Sequence, residues 1–259
     1  MFSIIIPYKG GNPQREESLS NLLKCLKAQE SLDPTNNPII FELIIVEQTI
    51  LENNYNAHKR IKEIVPQELA ELKYVQLVNP DIRFNKSWCI NVGAKKSYYD
   101  HLIIMDADSL FGKDYLRTIK DYVENTNPNH NKIMFCWDKL ICMPGKDNPV
   151  TRYISPKNTL AMGAIWYINK HFLFNQLGGM CENFIDYGGE DNDIYERALF
   201  SQQVPISIIP YTLVHQYHDW SPANKINENL FDFTRQNANI INQRLRLATF
   251  INMFGFEGE

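Results

Sequence analysis

Apolar and polar positions alternate along the first hundred residues in a way that separates strands from helices. Phe2, Ile4, Ile5 and Ile6 form a short apolar run closed by Pro7, the pattern of a strand buried on both faces. Leu19, Leu22, Leu23 and Leu26 then recur at helical spacing and predict a helix with one apolar stripe. Residues 41–46 and 74–78 predict two further strands, 87–98 a helix, and 101–105 a fourth strand. Such alternation predicts an α/β chain, a Rossmann-like and mostly parallel central sheet with helices on both faces. Ligands of such sheets lie beyond the carboxyl ends of the strands. The residues that follow the strands are therefore the first place to look for chemistry: Pro7-Tyr8-Lys9, Glu47-Gln48 and Asp106-Ala107-Asp108.

The pattern changes in the second half. Residues 126–158 are rich in Asn, Pro and Lys around an apolar run at 133–142, and predict antiparallel strands and loops. A Gly-rich, acidic stretch at 178–193 leads into a helix ending near Phe200, and 204–209 predict another strand. Residues 224–250 predict a moderately amphipathic helix through Leu230, Phe233, Ile240, Ile241 and Leu245, suited to packing on its own domain, a partner or a membrane surface. No repeat or low-complexity linker divides the chain. We read one domain over residues 1–259, with a first half (1–110), a second half (111–223) and the C-terminal helix (224–259).

Composition narrows the classes. With 259 residues, 44% of them hydrophobic, the chain can bury a sizeable core. Its 26 basic and 30 acidic residues, net charge −4, leave no electrostatic footprint for nucleic acid. No apolar stretch approaches the ~20 residues of a membrane span, and the start lacks the pattern of a signal peptide. Cys25, Cys89, Cys136, Cys142 and Cys181 are scattered, without zinc spacing, and are expected to be reduced core residues. Together these features predict a cytoplasmic protein.

Three groups of residues carry candidate chemistry. Asp106 and Asp108 follow a buried strand. At i and i+2 on a strand both carboxylates point the same way and can face one divalent cation. The bland alternative is two solvated aspartates opening a turn. His215 and His218, in His215-Gln216-Tyr217-His218, offer imidazoles that with a carboxylate favour Mn²⁺ over Mg²⁺. Packing against Trp220 and Tyr217 without metal is their alternative. In Gly188-Gly189-Glu190-Asp191-Asn192-Asp193, three acids within four residues repel one another, which raises a pKa as a general base requires. The same acids suit a helix N-terminus, and both readings stay open. Tyr8, Lys9, Glu47, Phe84 and Lys86 add an aromatic, cationic and acceptor lining suited to a nucleotide.

The order of these motifs resembles the GT-A glycosyltransferases, particularly the β-1,4-galactosyltransferase-like group and its bacterial relatives in glycosyltransferase family 2. Phe84-Asn85-Lys86-Ser87-Trp88-Cys89-Ile90-Asn91-Val92-Gly93 is similar to that group's F-N-R-A-x-x-x-N-V-G segment. Asp106-Ala107-Asp108 is similar to its D-V-D, Tyr187-Gly188-Gly189-Glu190-Asp191-Asn192-Asp193 to its W-G-G-E-D-D-D, and the two histidines fall where it has M-x-x-H. The resemblance implies a GT-A fold and an inverting, metal-dependent transfer of Gal, GalNAc or GlcNAc from a UDP-sugar to a glycan hydroxyl. It implies Asp108, His215 and His218 as ligands of Mn²⁺, with Mg²⁺ as the alternative, and Asp191 as general base. It further implies Tyr187, Glu190 and Asp191 on the acceptor, Asp106, Lys86 and Gly189 on the donor, and Pro7, Tyr8, Lys9, Glu47 and Phe84 around the nucleotide.

Departures from the pattern matter. Tyr187 replaces a Trp, so the acceptor platform differs. His215 stands where the group often has Met, which relaxes the demand for Mn²⁺. Lys86 for Arg keeps the charge and loses the bidentate fork. Small residues at 159–164 leave room for an N-acetyl group on the donor. Two other functions are weighed: a sugar-phosphate nucleotidyltransferase, and a non-catalytic nucleotide- or sugar-binding module. The first usually has a basic, Gly-rich phosphate loop, of which Lys9-Gly10-Gly11 is only a trace. The second needs no metal.

Overall fold

The apolar runs assemble into a seven-stranded sheet in the order β10-β6-β9-β4-β1-β2-β3. The structure, a computed structural model, describes residues 1–10, 12–30, 41–49, 63, 72–78, 83–126, 133–145, 150–156, 163–202 and 207–218. Strands β1 (Phe2–Lys9), β2 (Phe41–Thr49), β3 (Leu72–Val78) and β4 (His101–Met105) run parallel to one another. β9 (Ile165–Asn169) enters antiparallel between β4 and β6 (Met134–Phe135), and β10 (Ser207–Ile208) closes that edge parallel to β6. The sheet is thus mostly parallel.

Alternate residues of the strands feed two separate cores. Ile4, Ile6, Leu43, Ile45 and Ile103 pack with Leu19, Leu22, Leu23 and Leu26 of α1 (Pro13–Glu30) and with Leu116 and Ile119 of α3 (Tyr115–Thr126). Ile5, Ile44, Val46, Leu102 and Ile104 pack on the other face with α2 (Lys86–Lys96) and with Ile194 and Ala198 of α4 (Glu190–Gln202). A fully buried aliphatic side chain contributes about 1.5–3 kcal/mol, so these continuous strand runs stabilise both layers. Gly93 sets the spacing of one layer. A Cβ there would lie 2.6 Å from Ile5 Cγ2, so Gly93→Ala would overpack the α2–sheet contact at ~1–3 kcal/mol.

Several expectations are refined. β1 continues through Pro7 to Lys9, because beyond Ile5 it pairs only with β2, and a proline is tolerated where one side carries no ladder. β2 likewise runs on to Thr49. The predicted strand at 204–209 is described only at Ser207–Ile208, and the predicted C-terminal helix lies outside the described residues.

A second sheet has four strands, β5-β11-β7-β8; its β7–β8 pair realises the antiparallel strands expected within 126–158, while its joining to β5 and β11 was not expected. It comprises β5 (Ser109–Leu110), β7 (Lys139–Cys142), β8 (Arg152–Ile154) and β11 (Thr212–His215). In it His215 pairs with Ser109, so a two-residue strand directly after Asp108 carries the far histidines to the end of β4. Among the described residues, no helix is long and apolar enough to cross a membrane.

Candidate active site

β4 ends at Met105, and Asp106-Ala107-Asp108 forms a turn rather than a strand. The shared orientation expected from a strand period is therefore not realised: the two carboxylates face different partners. Asp106 Oδ1 lies 2.8 Å from Lys86 Nζ, and its Oδ2 accepts from the Ala164 amide at 2.9 Å. Ala164 holds φ of 71°, uncommon for a residue with a Cβ. The strain sits where the Asp106 amide also donates to the Ala164 carbonyl (2.7 Å).

Asp108 faces the histidines instead. Its Oδ2 lies 3.1 Å from His218 Nε2 and 3.5 Å from His215 Nε2, and the two rings are 5.1 Å apart. One ligand atom from each of the three residues falls within 4.8 Å of the others. Burial opposes ionisation of Asp108, but the His215 and His218 rings outweigh it and hold the carboxyl down at about 2. Asp108 Oδ1 is buried without a hydrogen-bond partner. A carboxylate kept ionised, an orphaned oxygen and two imidazoles fit a divalent transition ion. Gln216, between the histidines, fixes the approach: its amide donates to the Asp108 carbonyl (2.8 Å), its Nε2 to Ser18 O (3.0 Å), and its Oε1 accepts from Asn21 (2.9 Å).

The acidic motif meets Asp106 through one lysine. Lys86 Nζ lies 2.9 Å from Asp191 Oδ2 and 3.6 Å from Glu190 Oε1, besides its contact with Asp106. Burial opposes the charge on Lys86, yet Asp106, Asp191 and Glu190 together raise its pKa well above the usual value. One cation cannot balance three carboxylates. Burial pushes Asp191 up to about 8; Lys86 pulls against it, and Glu190 and Asp106 add to the rise. Gly188 and Gly189 reach the first turn of α4 with φ of 105° and 90°, which places both acids at that helix start. The acids thus stand at a helix start, as one reading expected, and also face Lys86. Asp193 is different: Arg197 binds it through Nε and Nη2, while Arg197 Nη1 donates to Leu177 O and Gly179 O.

Elsewhere the expected site residues are distributed along the strand ends. Pro7 is buried within β1 and Lys9 is partly exposed at its end. Tyr8 is buried in the α1–α3 core. Glu47 is buried at the end of β2, accepting from Tyr74 Oη at 2.5 Å. Phe84 is half-buried beside α2, and Tyr187 is 48% exposed, the most open of the acceptor candidates. Gly163 backs the cluster: a Cβ there would meet Asp106 Oδ2 and Asp191 Oδ2, each at 3.2 Å.

Several positioning residues escape sequence reasoning. Gln48 accepts from the Asn85 amide (2.6 Å) and donates to Arg83 O (2.7 Å), and Asn85 caps α2 at Trp88 N (2.9 Å). Asn91 and Glu182 meet at 2.7 Å beneath the site. Burial pushes Glu182 up to about 7, against Asn91 and Lys95. The asparagines stand within a motif already singled out; the available signals were Asn85 at a helix start and Asn91 as a polar side chain within an apolar run. Glu182 and Arg197 carried none.

Residues 148–219 match the family described as N-terminal domain of galactosyltransferase, a segment that contains the acidic motif and both histidines. No curated protein matches the chain by sequence. Among solved structures, S. aureus TarS 1-349 in complex with UDP-GlcNAc is similar at TM-score 0.57 and 16% identity, over 85% of this chain and 59% of that one. GalNAc-T7 with UDP, GalNAc and Mn²⁺ is similar at TM-score 0.61 and 13% identity, over 94% of this chain and 51% of that one. The chain spans less than two thirds of either. Sheet order and these likenesses identify the GT-A glycosyltransferase fold.

Proposed function

We propose that this GT-A fold serves an inverting glycosyltransferase, which moves a hexose or N-acetylhexosamine from a UDP-sugar to a hydroxyl of a glycan acceptor. The observation that carries the reading is the double contact of Lys86, 2.8 Å from Asp106 and 2.9 Å from Asp191. It joins Asp106, at the strand end, to the acidic helix start, and Asp108 of the Asp108, His215 and His218 trio stands two residues after Asp106. The uridine lies along Pro7, Tyr8, Lys9, Glu47 and Phe84, in residues 1–110. Asp106 and Gly189 hold the donor, and Tyr187, Glu190 and Asp191 the acceptor, so residues 111–223 supply most of the metal and acceptor side. The five free thiols suit a reducing, cytoplasmic setting.

In this mechanism Asp108, His215 and His218 would hold Mn²⁺, or Mg²⁺, which would supply positive charge to the departing diphosphate. Lys86 contributes a second positive charge on the same side. Asp191, in deprotonated form, accepts the proton of the acceptor hydroxyl as its oxygen attacks C1 of the sugar. The C1–O bond to UDP breaks with its electron pair on the diphosphate, and the configuration at C1 inverts. A raised pKa makes Asp191 a stronger base than an ordinary carboxylate, as an alcohol proton requires. The inverting outcome rests on the resemblance to the β-1,4-galactosyltransferase-like group, whose acidic motif Glu190 and Asp191 match.

A panel of UDP-sugars with a glycan acceptor, with and without Mn²⁺, tests the proposal through release of UDP. Metal-dependent release with one or a few donors is the expected result. Pyrophosphate release from a nucleoside triphosphate and sugar phosphate would point to a nucleotidyltransferase. UDP affinity indifferent to metal, with no turnover of any donor, would leave a binding module.

A further inference from the structure

Two limbs carry the reacting groups. Lys86 begins α2, Glu190 and Asp191 begin α4, and the segment 180–189 that leads into α4 runs alongside α2. The limbs are joined by a line of hydrogen bonds below the reacting cluster. Asn91, fully buried in α2, donates from Nδ2 to Glu182 Oε1 (2.7 Å) and Met180 O (3.0 Å), and its Oδ1 accepts from Met180 N (2.9 Å). Asn85 Nδ2 donates to Glu182 O at 2.7 Å. Phe84 N donates to Asp186 Oδ1 (3.2 Å), and Asp186 N to Phe84 O (2.7 Å).

Glu182 is the costly member of this seam. It is 0% exposed, and its Oε2 has no hydrogen-bond partner among the described residues. A buried carboxyl with one oxygen unsatisfied is disfavoured unless the other oxygen does something a neutral apolar side chain cannot. Here Oε1 satisfies one Nδ2 proton of Asn91, and this leaves the amide correctly turned to take both polar groups of Met180. Without that acceptor, one buried Nδ2 proton of Asn91 is left unsatisfied and only the two bonds to Met180 hold the amide, which weakens the join between the acidic segment and α2.

We propose that Glu182, acting through Asn91, is a positioning residue for transfer: it holds segment 180–189 on α2 so that Asp191 keeps its 2.9 Å contact with Lys86. The inference rests on the reading of Asp191 as the base, and extends it to a side chain outside the reacting cluster.

Glu182→Gln retains an oxygen for Asn91, whereas Glu182→Leu removes it at similar volume. For transfer, E182L lowers kcat by ~10- to 100-fold with KM for the UDP-sugar within ~3-fold, since misplacing a reacting group costs rate rather than donor binding. E182Q stays within ~3-fold of wild type in both, a rescue that a lost charge would not allow. Independently of turnover, amide hydrogen exchange across 180–189 speeds up by at least ~10-fold in E182L and not in E182Q. Unchanged exchange in E182L, unchanged kcat in E182L of an active enzyme, or E182Q as slow as E182L each overturn the proposal. If E182L does not fold, Asn91→Ala reads the same seam from its other side, with the same two measurements. A wild type that turns over no donor sinks the reading of Asp191, and exchange alone then decides whether Glu182 holds the segment.

Discussion

Asp106 and Asp108 are separated by one residue and occupy opposite electrostatic surroundings. Asp106 belongs to a cluster of three carboxylates around one lysine, in which Asp191 is pushed up to about 8 by burial and like charge. Asp108 is one carboxylate before two imidazoles, and is held down at about 2 despite burial. The first cluster has more negative charge than it can keep, and so stores a proton. The second has an ionised oxygen with nothing bonded to it, and so suits a cation. A short turn lets one chain segment serve both, a proton-accepting side and a metal side, because neither aspartate is bound by the period of a strand.

The sharpest way to break this contrast is to neutralise the proton-accepting side. Asp191→Asn should lower transfer by ~10²- to 10⁴-fold, the usual cost of losing a general base, while UDP affinity by calorimetry changes little. In wild type, kcat/KM should rise with pH through a midpoint near 8 and level off above it, since the base works only when deprotonated. A limb near pH 4 would show that the surrounding acids do not perturb Asp191. Stability carries the opposite sign. A carboxyl whose folded pKa lies above its ordinary 3.8 stabilises fully below that value, and the contribution is lost as pH rises to about 8. D191N should therefore gain in melting temperature relative to wild type between pH 4 and 8.

Lys86→Met strips the cation from the same cluster and leaves Asp106, Glu190 and Asp191 facing one another. Breaking a buried ion pair by removing one partner typically costs ~3–5 kcal/mol. Protonation of the orphaned acids relieves the repulsion, so the loss should be larger at pH 8 than at pH 5 in denaturant titrations. An equal loss at both pH values would mean that Lys86 stabilises by packing rather than by charge.

On the metal side, Asp108→Ala or His218→Ala should remove most of the increase in UDP affinity that Mn²⁺ produces. Outer-shell changes alone typically cost 10- to 100-fold in metal affinity, so loss of a ligand should cost at least ~10-fold. Metal-independent UDP binding in both wild type and variants would dissolve the contrast between the clusters.

The parts of the molecule legible in the sequence are those governed by local pattern. The run at 101–105 is β4 residue for residue, and the leucines 19, 22, 23 and 26 form the buried stripe of α1, because periodicity reports burial directly. The meeting of Asp108 with His215 was foreseen only through motif order. Its physical cause, the pairing of β5 with β11 in a second sheet, rests on a two-residue strand too short to leave a period. Asn91 and Glu182 were illegible as a pair for a related reason: a single long-range hydrogen bond leaves no pattern in either neighbourhood.

The smallest test concerns what keeps Lys86 in the acidic cluster rather than free to face Asp108. Asn85 does two jobs one residue before it, capping α2 at Trp88 N and donating to Glu182 O. Asn85→Ala loses both and should cost ~1–2 kcal/mol, the range for a helix cap plus a buried hydrogen bond. Asn85→Ser keeps a capping oxygen and loses the amide donor, so about half that loss is expected, read as the shift in urea midpoint at constant slope. The ammonium of Lys86 is what pulls Asp191 down against its other neighbours. If the seam holds the two together, the alanine variant should move the acidic limb of kcat/KM to higher pH, and the serine variant less so. A loss of stability with the limb unmoved would assign Asn85 to the helix alone, and leave the division of charge between the clusters to Lys86 itself.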